Sequence, residues 1–379
     1  MESNTFRGLG KGLDNLFGAA EAGKGTIKDN MNDLRDILED EIINSKSTDD
    51  EKKILLKRLR TFCDTETNIM LVGATGCGKS STINALFSCG DSKQSAEDNE
   101  QKDGLDPKIS SVTVEVAKVG SKADPETKDI EKYRIGNLVL WDTPGFGDGT
   151  ELDKHHKELI TDLLRDKNDK GEALIDLVLV ILDGSTKDLG TSYKIINEII
   201  IPELNNETNR ILIALNQADI AMKTGRHWNF DKNEPDDVLI NYLNEKVNSI
   251  KKRIKSDSGI DVDPVYYCAG YKEDSGDEVK PYNLSKLLYY IMNSLPNEKR
   301  VAVMEGINTD SNKYKSNDNK ENYNERIKSS FYKSFDYITD GVDTGFEIGK
   351  TILGIPGALV GGFLGGVVGC FQQILDDIF

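Results

Sequence analysis

The chain has 379 residues, enough for one large domain or two of ordinary size. Its 65 acidic against 48 basic side chains give a formal charge of −17, which leaves no general basic surface for nucleic acid. Five scattered cysteines without a C-x-x-C pair, and only three histidines, exclude a zinc-finger pattern and predict reduced thiols in a cytoplasmic compartment.

Residues 1–25 place Phe6, Leu9, Leu13, Leu16 and Phe17 at three- and four-residue steps. That spacing predicts an amphipathic helix, weakened by Gly8, Gly10, Gly12 and Gly18, and it lacks the apolar core of a secretory leader. A better helix is predicted from Thr26, with Ile27, Met31, Leu34, Ile37, Leu38, Ile42 and Ile43 on one side. Ser47-Thr48-Asp49-Asp50-Glu51 reads as an N-cap with an acidic first turn, opening a helix through Ile54, Leu55, Leu56, Leu59 and Phe62. Residues 1–65 are therefore a helical lead-in.

From residue 66 to 297 short apolar runs alternate with helical stretches, which predicts an α/β fold. The runs are Ile69–Val72, Val112–Val119, Leu138–Trp141, Leu177–Leu182, Ile211–Leu215 and Val265–Cys268. Several are apolar throughout, as strands covered on both faces should be. Helices are expected near 79–88, 151–168, 188–203, 235–255 and 283–295, and Gly90–Ser110 reads as a long polar loop. Residues 298–325, rich in Asn, Asp and Lys, read as a polar linker, and 326–379 as a C-terminal helical region.

One stretch carries the chemistry. Gly73-Ala74-Thr75-Gly76-Cys77-Gly78-Lys79-Ser80 matches G-x-x-x-x-G-K-[ST], with a strand pattern before it and a helix pattern from Ser81 onward. Such a loop turns backbone N–H groups, Cys77 and Ser81 among their bearers, toward phosphate at a helix N-terminus. Gly73, Gly76 and Gly78 permit close backbone approach, Lys79 reaches the β and γ phosphates, and the Ser80 hydroxyl binds Mg²⁺. Downstream, Asp142-Thr143-Pro144-Gly145 follows a strand. Asp142 can hold Mg²⁺ through water, and the Gly145 N–H can bond the γ-phosphate. Asn216-Gln217-Ala218-Asp219 follows another strand, where a carboxylate can accept the guanine N1–H and exocyclic amine. Adenine lacks that donor pair. Cys268-Ala269-Gly270 then offers backbone N–H groups to the base.

The ordered set GATGCGKSSTINALF, DTPGFGDG, ALNQADIAMKTGRHW and CAG resembles the Era-like branch of the translation-factor class of P-loop GTPases. NQAD followed by G-R-x-W is similar to the prophage-borne YfjP/YeeP-type GTPases, and DTPGFGD and the helical flanks resemble septins and immunity-related GTPases more distantly. The resemblance implies a mostly parallel six-stranded sheet with one antiparallel edge, helices on both faces and flanking N- and C-terminal helices. It implies GTP and GDP as ligands with Mg²⁺, held by Ser80, Asp142 and a switch threonine. Thr113 fits that last role best, with Ser110 and Ser111 as competitors. Asn216 and Asp219 would fix guanine, and Ala269 would meet its carbonyl.

Three departures bear on rate and affinity. Gln217 stands where the family commonly has a base-stacking lysine, and Phe146 where many members have a water-orienting glutamine. Gly76 replaces the asparagine of potassium-activated relatives. Intrinsic hydrolysis is expected on the order of 10⁻³ per second or below, assisted by self-association or a partner. His155 and His156 are read as a solvated helix face, and Arg226-His227-Trp228 as packing beside the base. Glycines fall at 341, 345, 349, 357, 361, 365 and 369, a four-residue step that only Leu353 breaks, and Thr351–Phe371 carries no charge. Residues 350–379 therefore predict membrane association or a homo-oligomeric contact. An RNA or ribosome factor is disfavoured by the charge, while a non-hydrolysing septin-like assembly module is the alternative to a GTPase enzyme.

Overall fold

The computed structural model describes residues 27–44, 48–87, 129–147, 150–205, 207–222, 227–272, 278–339, 371 and 374–379. The run at 112–119, Thr113, and nearly all of the glycine-stepped tail lie outside them. No described helix is long and apolar enough to cross a membrane. The chain divides into two compact units, one of residues 1–66, 296–305 and 325–379, the other of 67–295 and 306–324.

The described elements of the first unit are helical. α1 (Ile27–Asn44) and α2 (Asp49–Asp64) lie together, joined by the ion pairs Arg35–Asp64 at 2.9 Å and Arg60–Glu39 at 3.2 Å. α2 starts where the sequence predicts. The Thr48 hydroxyl accepts the Glu51 N–H while the Glu51 carboxylate accepts the Thr48 N–H, a reciprocal capping box. Leu55, Leu59 and Phe62 form its buried stripe, and Phe62 meets Phe335 with ring centroids 5.1 Å apart.

The second unit holds a six-stranded sheet. Its strands are β1 (Thr67–Gly73), β2 (Glu131–Ile135), β3 (Leu138–Asp142), β4 (Leu177–Asp183), β5 (Ile211–Asn216) and β6 (Val265–Tyr266). They lie in the order β2-β3-β1-β4-β5-β6, all parallel except β2, which runs antiparallel to β3. β1, β3 and β5 are buried at every position, so apolar side chains on both faces are covered. The helices of this unit are α3 (Lys79–Leu86), α4 (Thr150–Arg165), α5 (Gly190–Ile195, continued by a π turn), α6 (Asp237–Ser258) and α7 (Leu284–Ser294). Chain order reverses at β1, which has β3 on one side and β4 on the other. A crevice outside the carboxyl ends of the strands at such a point is where ligands bind in open α/β sheets.

Two expectations are corrected. The antiparallel edge is β2, a segment the apolar runs do not reveal, because of its residues only Tyr133 is buried. Residues 298–325 are folded instead of forming a linker. α8 (Asn297–Glu305) belongs to the helical unit, with Val301, Ala302, Val303 and Met304 buried. Residues 306–324 fold onto the sheet unit as a strap. Tyr314 is buried and its hydroxyl donates to the Leu86 carbonyl at 3.1 Å, while the Asn308 N–H donates to the same carbonyl at 2.8 Å. Lys313 Nζ donates to the Asn84 carbonyl at 3.1 Å, so the strap caps the C-terminal end of α3. Farther along, Lys286 on α7 pairs with Asp318 at 2.7 Å, and the Tyr323 hydroxyl donates to the same carboxylate.

Candidate nucleotide-binding site

The predicted motifs meet at the carboxyl ends of β1, β3, β5 and β6. After β1 the chain turns sharply into α3, and glycine is required where the turn crowds its neighbours. A Cβ at Gly73 would sit 2.3 Å from the Ile181 carbonyl oxygen. Gly78, at φ +91°, would place its Cβ 2.2 Å from Asn216 Nδ2. Lys79 is 8% exposed, and its ammonium donates to the Gly73 and Ala74 carbonyls at 3.3 Å each, which keeps the cation at the mouth of the loop.

Asp142 ends β3 against this loop. Its Oδ2 accepts the Ser80 hydroxyl at 2.6 Å, while Oδ1 is buried with no hydrogen-bond partner. Burial pushes the Asp142 carboxyl up from its ordinary pKa, opposed by Lys79 and the Ser80 hydroxyl. A hydroxyl and a carboxylate oxygen left unpaired, beside a lysine, form a donor set suited to a hard divalent cation such as Mg²⁺. The loop after Asp142 is stitched to the phosphate loop. Thr143 Oγ1 donates to the Leu71 carbonyl at 2.8 Å, and the Thr75 N–H donates to the Phe146 carbonyl at 3.0 Å. Gly145 passes so close that a Cβ would lie 2.5 Å from Thr75 Cα.

On the other side, Asn216 bridges two loops. Its Nδ2 donates to the Cys77 carbonyl at 2.9 Å, and its Oδ1 accepts the Ala269 N–H at 3.0 Å. Gln217 sits in the left-handed region at φ +59° and donates from Nε2 to the Gly76 carbonyl at 2.8 Å. The tie to the phosphate loop is thus made by an amide at the position where the resemblance expects a lysine. Burial raises the Asp219 carboxyl, opposed by the Cys268 thiol and by the N–H groups of Asp219 and Ile220. Cys268 is held well above the usual thiol range by burial and by that carboxylate.

The structure therefore brings together Lys79, Ser80, Asp142 and Gly145 on one side, and Gly76, Cys77, Asn216, Gln217 and Ala269 on the other. Asp219 and Cys268 adjoin the second group. Ser81 lies half-buried in the first turn of α3, and Thr113 lies outside the described residues. His155 is exposed as expected, but His156 is 4% exposed, with Nδ1 2.8 Å from the Gly145 carbonyl oxygen. The reading of His156 as solvated is corrected. The available signal was its spacing from Ile160 and Leu163, both buried, at i+4 and i+7. Lys246 on α6 was also missed. Its ammonium donates to the Gly184 and Thr186 carbonyls, and the Gly184 N–H donates to the Asn216 carbonyl at 2.8 Å. Trp228 is buried and meets Tyr282 edge-on at 5.3 Å, and His227 Nδ1 lies 2.8 Å from the Asp236 carboxylate.

Residues 68–217 match the family described as 50S ribosome-binding GTPase, somewhat under half of the chain. No curated protein sequence matches. Among solved structures, a probable GTP-binding protein EngB is similar at 19% identity, over 60% of this chain and 98% of that one, with a TM-score of 0.33. Era from Aquifex aeolicus shares 19% identity over 61% of this chain and 57% of its own, with a TM-score of 0.33. The LeoA bacterial dynamin GTPase from ETEC shares 14% over 91% and 53%, with a TM-score of 0.35. Values this low say nothing of what this chain binds or does. The family match spans the G-x-x-x-x-G-K-S loop, the Asp142 loop and the start of the Asn216 loop in order, and over that span the chain is similar to that family.

Proposed function

We propose that the chain is a Mg²⁺-dependent GTPase, hydrolysing GTP to GDP and phosphate and coupling nucleotide state to assembly or membrane association. The observation that carries the reading is the Asn216 bridge, since one side chain ties the loop for phosphate to the loop for the base. Lys79 would hold the β and γ phosphates, Gly145 would donate its N–H to the γ-phosphate, and Asp219 would accept the two guanine donors. Ser80 and Asp142 would hold Mg²⁺, with Thr113 proposed as the switch threonine. When bound, that ion neutralises charge building on the phosphate oxygens. The finer resemblance, to prophage-borne YfjP/YeeP-type GTPases, rests on NQAD and G-R-x-W alone.

Calorimetric titration with GTP, GDP and ATP tests the base assignment. A site built around a half-buried carboxylate should prefer guanine by roughly 10⁴-fold, and Asp219→Asn should remove that preference. Equal binding of ATP by the intact chain would refute it.

One observation favours a second reading, a GTP-bound assembly module that does not turn over. Phe146 is 2% exposed and packed against the phosphate loop, so its position supplies no polar group to orient water. Multiple-turnover phosphate release at rising protein concentration separates the two. A rate per chain that climbs with concentration supports hydrolysis completed by self-association, and no turnover at any concentration supports the module. Residues 350–379 are proposed as the membrane or self-association element. Unchanged vesicle flotation and oligomer size after their deletion would refute that role.

A further inference from the structure

Helix α4 grips the loop that precedes it with two side chains. Asp153 Oδ1 accepts the Gly147 N–H at 2.9 Å, and His156 Nδ1 lies 2.8 Å from the Gly145 carbonyl oxygen. A carbonyl only accepts, so the ring nitrogen is the donor. The imidazole is buried and stands edge-on to Phe146, with centroids 6.4 Å apart. The same peptide is held from its other side, because the Phe146 N–H points to the Gly73 carbonyl at 3.4 Å.

Gly145 needs such a hold. It cannot carry a side chain, since a Cβ would strike Thr75, and without one its own sterics restrict φ and ψ least of any residue. Pro144 restricts the chain on the upstream side through its fixed φ. On the downstream side Phe146 is bonded to Gly73 and Thr75, and the Gly145 carbonyl between them is held by His156 from the neighbouring helix.

We propose that His156 is a positioning residue for the γ-phosphate. By holding the Gly145 carbonyl, while Pro144 restricts the peptide that carries the Gly145 N–H, it limits rotation about the Gly145 Cα and so keeps that N–H aimed at the terminal phosphate of the bound nucleotide, and it ties the loop to α4 so that the two respond together. The proposal rests on the guanine-nucleotide reading of the site and deepens it. GDP has no terminal phosphate for Gly145 to meet, so the bond should matter for GTP and not for GDP.

The test is titration of GDP and of a non-hydrolysable GTP analogue, both with Mg²⁺, into the full chain carrying each His156 variant. His156→Ala should bind the analogue about tenfold more weakly and GDP within about twofold of wild type. His156→Asn, whose amide can donate from near the Nδ1 position, should restore the analogue's affinity. If His156→Ala does not fold, His156→Phe fills the ring volume without a donor and should show the same selective loss. An analogue-to-GDP ratio that does not change, whether both affinities hold or both fall in parallel, overturns the proposal. So does a ratio that His156→Asn fails to restore. Wild-type chain that binds neither guanine nucleotide overturns the reading of the site itself, and this inference with it.

Discussion

Asp142, the proposed Mg²⁺ ligand, is held against the interest of stability. Its unpaired Oδ1 is buried, and burial raises its pKa above the unfolded value. The folded chain therefore binds that proton more tightly than the unfolded chain does. Stability from this group is present at low pH and is lost as pH rises through the folded-state pKa, the reverse of a salt-bridged carboxylate. Asp142→Asn should accordingly make the metal-free protein more stable at neutral pH, by about 1 kcal/mol or more, while abolishing the Mg²⁺ dependence of nucleotide affinity. Urea unfolding at pH 7 and titration with and without Mg²⁺ read the two effects. A less stable Asp142→Asn protein would show that the carboxylate is not under strain. Gln217 is the counterpart at the base: its amide makes the tie to Gly76 without any buried charge.

Among the elements, the strap at 306–324 is the one whose composition misleads. Its asparagines and aspartates look like the makings of disorder, yet they make turns. Asn308 Oδ1 accepts the Asp310 N–H, Asp310 Oδ1 the Asn312 N–H, and Asn317 Oδ1 the Asn319 N–H. A few apolar anchors, Ile307, Tyr314 and Tyr323, complete it. Because Tyr314 is buried and caps the C-terminal end of α3, Tyr314→Phe should lower stability by about 1 kcal/mol and Tyr314→Ala by about 3–5 kcal/mol. Chemical unfolding measures both, and near-equal losses would mean that packing counts for little there. β2 escaped notice for a related reason, since an edge strand with one buried side chain carries no apolar signature. The capping box of α2 and the glycines of the phosphate loop were legible because each is a local device, complete within a few residues. His156 was not, because its partner is the backbone of a loop eleven residues earlier.

At the scale of the whole chain, motif spacing predicts one domain at 66–297, but the compact sheet unit includes 306–324 as well. A fragment of 66–297 lacks the groups that cap α3 and the Asp318 partner of Lys286. It should melt well below a fragment of 66–324, and the difference should persist in saturating GDP. Equal melting temperatures by calorimetry would show that the strap is dispensable.

The phenylalanines of the helical unit set a timetable for synthesis. Phe62 packs on Phe335, and Phe335 on Phe371, so one core draws on both ends of the chain. At translation speeds of about 5–20 residues per second, α2 is made roughly 10–60 s before its aromatic partner exists. Through that interval Phe62 lacks its aromatic partner, while β1 and the loop after it are already emerging. Early termination would leave Phe62 permanently without that partner, which makes truncated chains, more than point variants, the species expected to aggregate in the cell.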